Sequence, residues 1–325
     1  MILSVLFFIL LVVFPREALQ GALDGLRICG TRVIPSLFPF FVLSRFIVLR
    51  MPPISWSGMK RLFGVSGNVL PALVLSFLGG YPLGVATLTA MYEQGRITKQ
   101  DAEHAIVFCN NSGPGLFIGL LGGVVFQNTA AGIALYAIHM ITALYCGALL
   151  SGDGSSVVLR PCARNRISLP NAVSDAVTGA SSAMLQVCSY VILFSVLSGL
   201  LTSMPLFFRL PEEVRSLLMG SLEITGGLSG LKASSHSFII AAALMGWGGL
   251  CVHIQAMTLW QRAGLKPRGY FMEKLLHALL SAGFASALCL ESVLPVICFS
   301  LFLLLILILQ RFIQKTGRKK KTSVV

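Results

Sequence analysis

Leu70-Pro-Ala-Leu-Val-Leu-Ser-Phe-Leu-Gly-Gly-Tyr-Pro-Leu-Gly-Val-Ala-Thr-Leu-Thr-Ala90 is an apolar segment of membrane-spanning length, broken at its centre by Gly79, Gly80, Pro82 and Gly84. A helix does not run through it undisturbed, because proline lacks the N–H of the helical ladder and glycine loses the most backbone freedom on ordering. In hydrocarbon every N–H and C=O needs a partner. Unwound backbone therefore persists at that depth only where protein packs around it or a polar cavity lies beside it. The stretch points to a membrane protein with a transport or binding site at the break.

Composition supports the membrane assignment. The chain is 55% hydrophobic and 11% charged, and apolar runs recur from Ile2 to Leu309, far outside the range of a soluble domain. The net charge of +13 does not indicate nucleic acid: six of the 25 basic residues sit in the tail Arg311 to Lys321, and most others fall between apolar segments, where they read as cytoplasmic topology signals. The eight cysteines form no C-x-x-C pair and read as small apolar core residues. Ile2 to Phe14 is too short to span directly and reads as an uncleaved first anchor. Arg16 to Arg32 carries Ala18, Leu19, Ala22, Leu23 and Leu26 at helical spacing, which suits an interfacial amphipathic helix.

These features give five parts: 1–32, the anchor and interfacial helix; 33–150, a first repeat; 151–179, a cytoplasmic linker; 180–289, a second repeat; and 290–325, a last transmembrane helix with a basic cytoplasmic tail. Each repeat contains a plain span, a Gly-broken segment (70–90 and 217–231) and a Gly-interrupted span. With both broken segments turning back, 19 Lys and Arg lie inside and 6 outside; with both crossing, the split is 16 and 9. The positive-inside rule favours re-entrance, which makes the halves antiparallel. The expected fold is an all-α polytopic membrane protein of two inverted repeats, each with a re-entrant helical hairpin and an interrupted transmembrane helix.

The candidate substrate-binding residues lie at the breaks. Gly80, Tyr81 and Pro82 form the first tip, with Pro82 placed to open a half-helix whose free N–H groups suit an anion; the alternative there is a packing kink. Asn110, Asn111 and Ser112 precede Pro114 inside an apolar run and are costly in lipid unless they bond to something. Thr225 and Gly226 belong to the second broken segment, and Gln255 follows the break Gly246-Trp-Gly-Gly249. Glu223 and His253 are candidates for a coupling Na+ or H+. Shallow placement of Glu223, or an interhelical bond for His253, is the plainer alternative. Pro35 and Pro39 read as a kink, and Asp101, Glu103 and His104 as a cytoplasmic helix start. No phosphate-binding loop or zinc-protease motif and no paired catalytic acids occur, so an enzyme is not expected, nor a bound metal or cofactor beyond the coupling ion. The expected partners are a small anionic solute and the lipid bilayer; a homo-oligomer is left open.

Together Pro35-Ser-Leu-Phe-Pro-Phe40, Gly80-Tyr-Pro-Leu-Gly84, Phe108-Cys-Asn-Asn-Ser-Gly-Pro114 and Gly248-Gly-Leu-Cys-Val-His-Ile-Gln255 resemble the sporulation integral membrane protein YlbJ family. That family is related to the gate, or nucleoside-recognition, domain of concentrative nucleoside transporters. The resemblance implies a multi-pass protein of the outer forespore membrane that moves dipicolinic acid out of the mother cell without ATP hydrolysis. A nucleoside transporter and a non-transporting scaffold in spore maturation are the rival expectations. The stretch Thr225-Gly-Gly-Leu-Ser-Gly230 matches the family more loosely than the first broken segment.

Overall fold

The structure, a computed structural model, describes residues 2–54, 56–150, 168–290 and 297. The expected last span, the basic tail and most of the linker lie outside the described residues. In chain order the helices are α1 (Ile2–Val13), α2 (Pro15–Ile28), a π turn (Cys29–Val33), α3 (Ile34–Arg50), α4 (Ser57–Phe63), α5 (Leu70–Gly79), α6 (Leu83–Glu93), α7 (Lys99–Phe108), a π-helical stretch (Gly115–Val125) and α8 (Thr129–Leu149). Then come α9 (Leu169–Thr202), α10 (Pro205–Phe208), α11 (Glu212–Leu222), α12 (Ile224–Ser229), α13 (Ser235–Trp247), α14 (Leu250–Arg262) and α15 (Tyr270–Leu290). Among the described residues no strand occurs. Five helical stretches among these residues are long and apolar enough to cross a membrane: Pro15–Arg50, Thr129–Leu149, Leu169–Thr202, Ser235–Arg262 and Tyr270–Leu290. The chain is an all-α polytopic membrane protein.

Two boundaries differ from the sequence reading. The interfacial helix expected over 16–32 and the span expected from 33 are one continuous helical stretch, Pro15–Arg50. Pro35 cannot donate to the carbonyl four residues back, and the π turn at Cys29–Val33 lies where that bond is missing, so the helix adjusts its hydrogen bonding instead of ending. Leu19, Leu23 and Leu26 face outward, while the opposite edge of α2 packs on α9. A Cβ on Gly21 would come within 2.8 Å of the Ser195 carbonyl oxygen, and one on Gly25 within 2.8 Å of Ile192 Cα; glycine here brings backbone against backbone. The second difference is α9, which begins at Leu169, inside the expected linker. Pro170 sits in its first turn, where a missing N–H costs nothing.

Both Gly-broken segments reverse the chain. A Cβ on Gly84 would lie 2.6 Å from Ser76 Cβ, although residues eight apart on one helix are separated by about 12 Å. So α5 and α6 form a hairpin, with Gly80 at φ +81° at its tip and a cis Tyr81–Pro82 peptide. Likewise a Cβ on Gly227 would collide with the backbone of Gly220, which makes α11 and α12 a second, shorter hairpin turning at Glu223. The two interrupted spans are also present. Beyond α7 the chain is non-helical through Cys109–Gly113 before Pro114 opens the π-helical stretch, and α13 gives way to α14 through Gly248 and Gly249 at φ +90° and +85°. Of the hydrophobic window in Ser235–Arg262, 67% is buried, against 17% in Pro15–Arg50. The α13–α14 span is thus central and the N-terminal stretch peripheral. Ahead of α7, Thr98 and Asp101 form a reciprocal capping box, which gives Asp101 a helix-start role.

Candidate functional site

The hairpin tips meet at the break in the central span. Tyr81 Oη donates to the carbonyl oxygen of Met245 at 2.9 Å, one of the carbonyls that the end of α13 leaves without a helical partner. A Cβ on Gly248 would stand 3.1 Å from that same hydroxyl, and one on Gly249 would stand 3.2 Å from the Gly220 carbonyl and 3.3 Å from the Ile224 nitrogen. The first tip also touches the other break: a Cβ on Gly80 would lie 2.9 Å from the Gly113 nitrogen. Three helix starts, at Leu83, Gly115 and Leu250, therefore belong to one contact cluster, and none has a side-chain cap. Uncapped helix starts present N–H groups and the positive end of the helix dipole, an environment that favours negative charge.

Asn110, Asn111 and Ser112 are fully buried, but not in the way expected for amides that hold an anion. Asn110 Nδ2 donates to Tyr270 Oη at 2.6 Å, and Asn111 Nδ2 donates to Ser76 Oγ at 3.1 Å and to the Phe108 carbonyl at 2.8 Å. The amide donors are thus occupied by the protein. Asn110 Oδ1, Asn111 Oδ1 and Ser112 Oγ have no partner. Buried polar atoms seldom go unpaired, and here they collect at one break. His253 joins the same group: its Nδ1 lies 3.0 Å from Tyr270 Oη, and Nε2 is unpartnered. His253 Nδ1 and Tyr270 Oη share one proton along this contact, and the His253 tautomer sets which of the two donates.

Helix α15 supplies residues that the sequence reading missed. Lys274, one of the 19 basic residues counted inside, has no exposed side-chain surface and donates to the Asn110 carbonyl oxygen at 2.7 Å. Removing it from the count leaves 18 basic residues inside and 6 outside, so the charge asymmetry survives. Its Nζ is 3.1 Å from Glu273 Oε2, and Glu273 Oε1 is 3.7 Å from His277 Nδ1. His277 stacks on His139 of α8 at a ring separation of 4.5 Å, and the Ser112 N–H donates to His139 Nε2 at 3.1 Å. Thr142 and Ser281 continue the contact at 3.0 Å. Tyr270, Glu273, Lys274, His277 and Ser281 follow a spacing of three and four, which puts them on one helical face. That periodicity was the available signal.

The second-hairpin candidates lie elsewhere. Glu223 caps α12, its carboxylate accepting from Thr225 N at 3.0 Å and Gly226 N at 2.7 Å. The N–H groups that an anion would need at that half-helix are already engaged. Glu223, Thr225 and Gly226 line a cavity of about 720 Å³ together with Arg16, Asp24 and Arg32. Gln255 is buried on α14 and donates to Cys251 Sγ at 3.1 Å. The candidates therefore divide into a sealed group around Asn110–Ser112, Tyr81 and His253 and an open group around Glu223. Among the described residues no cluster of three or more His, Cys, Asp or Glu is placed to hold a metal ion, and six cysteines are free thiols.

The chain is 25% identical over 322 residues to the sporulation integral membrane protein YlbJ of Bacillus subtilis strain 168, covering 84% of this chain and 78% of that protein. The resemblance carried by the four motifs is borne out by this likeness. No family model and no solved structure matches the chain.

Proposed function

We propose that the protein is a membrane transporter of a small anionic metabolite, with dipicolinate as the substrate, working by alternating access without ATP hydrolysis in the outer forespore membrane of a spore former. The observation that carries the reading is the convergence of three uncapped helix starts beside the buried Lys274 ammonium. Unwound backbone inside a span is tolerated where it serves a polar site, and half-helix N-termini at mid-depth favour anionic groups. A planar dianion takes its donors from these N–H groups, from the Ser112 hydroxyl and from Lys274, while the unpartnered Asn110 and Asn111 oxygens hold water or a protonated ligand group. The relative is a sporulation membrane protein, which supports the cellular setting.

Purified protein in liposomes should pass radiolabelled dipicolinate, and unlabelled dipicolinate should compete better than uridine. Ser112→Ala removes a hydroxyl without a protein partner. It should slow transport about 10- to 150-fold, the value of one hydrogen bond to a charged group, while leaving the thermal midpoint in place. Normal transport by this variant would place the substrate elsewhere. Competition by uridine would move the substrate class to nucleosides, and the absence of any solute movement would favour a scaffold.

A further inference from the structure

Glu273, Lys274 and His277 are fully buried on one face of α15, and the bonding of His277 fixes where its protons are. His277 Nε2 lies 3.1 Å from the His139 carbonyl oxygen. A carbonyl only accepts, so Nε2 carries a hydrogen. In a neutral ring Nδ1 is then a bare lone pair, and it faces Glu273 Oε1 at 3.7 Å with no hydrogen-bond partner. A lone pair and a carboxylate oxygen repel at that distance in a buried site. One proton between them relieves the conflict, carried either by Glu273 or by the ring.

We propose that Glu273 and His277 form a proton-binding site that couples proton entry to the binding of a carboxylate at the helix breaks. This rests on the transport reading above and assigns the coupling ion as H+, at a place other than Glu223 or His253. With the proton present, Glu273, Lys274 and His277 together carry a net charge of +1; with the proton gone, Glu273 and Lys274 cancel. The step adds one H+ from water as an O–H or N–H bond, and no other bond changes. A net buried charge is costly while a paired one is tolerated, so the proton and a substrate carboxylate each favour the other's binding. Lys274 links the two events, because it touches both Glu273 and the unwound Asn110 carbonyl. The other titratable groups facing this trio are His139 and Cys146 on α8, Cys109 beyond α7, Tyr81 at the hairpin tip, Tyr270 one turn back and His253 on α14. On α13, the helix packed along α15, the one titratable residue is His236, which is exposed.

The test uses full-length protein in liposomes with the membrane potential clamped at zero. An inward proton gradient of one pH unit should concentrate dipicolinate about tenfold, the value of one coupled proton; a protonophore should abolish this, and Glu273→Gln and His277→Gln should each lose it. Dipicolinate that moves down its own gradient without responding to pH would overturn the proton site and leave the transport reading intact. If the wild type moves no dipicolinate, transport fails, and 15N spectra of histidine-labelled protein decide the proton site separately. The His277 signal, identified by its loss in His277→Gln, should titrate about one pH unit or more away in Glu273→Gln. An unchanged midpoint there overturns the site.

Discussion

The two helical hairpins are both glycine-containing reversals between short helices, yet they end in opposite conditions. The first, α5–α6, is driven into the core: α6 is buried from Leu83 to Met91, and its tip is tied to Met245 by Tyr81 and pressed on Gly113. The second, α11–α12, has an arm of only six residues, ends on an acidic cap and borders an open cavity. A glycine break therefore does not define a site by itself. The character of the turn and of its second arm decides the outcome: an apolar, small-residue arm is swallowed by its neighbours, while a carboxylate at the turn satisfies its own half-helix and keeps the tip beside solvent.

Three substitutions probe this contrast. Gly84→Val is the most damaging, since its Cβ would collide with the Cys109 carbonyl and crowd Ser76. A loss of about 4 kcal/mol or more is expected for such a buried backbone clash, read as failure to unfold cooperatively on heating in detergent. A variant as stable as the wild type would show the two arms are not pressed together. Tyr81→Phe comes next. Leaving the Met245 carbonyl without its donor costs about 1–3 kcal/mol, measured as a lower thermal midpoint with the fold retained, and an unchanged midpoint would mean the tip is not tied. Gly226→Ala, at the second tip, has the smallest effect. Its Cβ would meet only the Glu223 Oε2 atom at 3.3 Å, the end of a side chain that can shift. Helix propensity gains about 0.5–1 kcal/mol, so the midpoint should hold or rise slightly, and a loss as large as that at Gly84 would erase the distinction between the hairpins.

Much of the architecture was legible in the residues because breaks in apolar runs are local events. Gly79–Gly84, Asn110–Pro114 and Gly248–Gly249 each interrupt or reverse the chain where the composition says they must. The continuity of Pro15–Arg50 was not legible, since Pro35 ordinarily marks a boundary and the π turn that absorbs it has no sequence signature. The core of the candidate site was half legible. Asn110, Asn111 and Ser112 stand out as polar residues in an apolar run, but their partners on α8 and α15 lie 27 to 164 positions away. Lys274 is easily misread because it comes after Arg262, Lys266 and Arg268; a run of charges looks like a loop, whereas only packing shows that the last of them has entered the protein. Asn110 and Glu223 resemble each other as polar residues at breaks, and only coordinates separate the one sealed inside from the one at the cavity wall.

The seam between α2 and α9 sets a mechanical limit on any such protein. At Gly21, Gly25 and Gly199 main chain lies close against main chain, with the small Ser195 side chain beside Gly25, so little side-chain interdigitation there has to unlock and reseat in a second arrangement. These two elements must travel as a single lever, and any hinge lies at the turns beyond its ends.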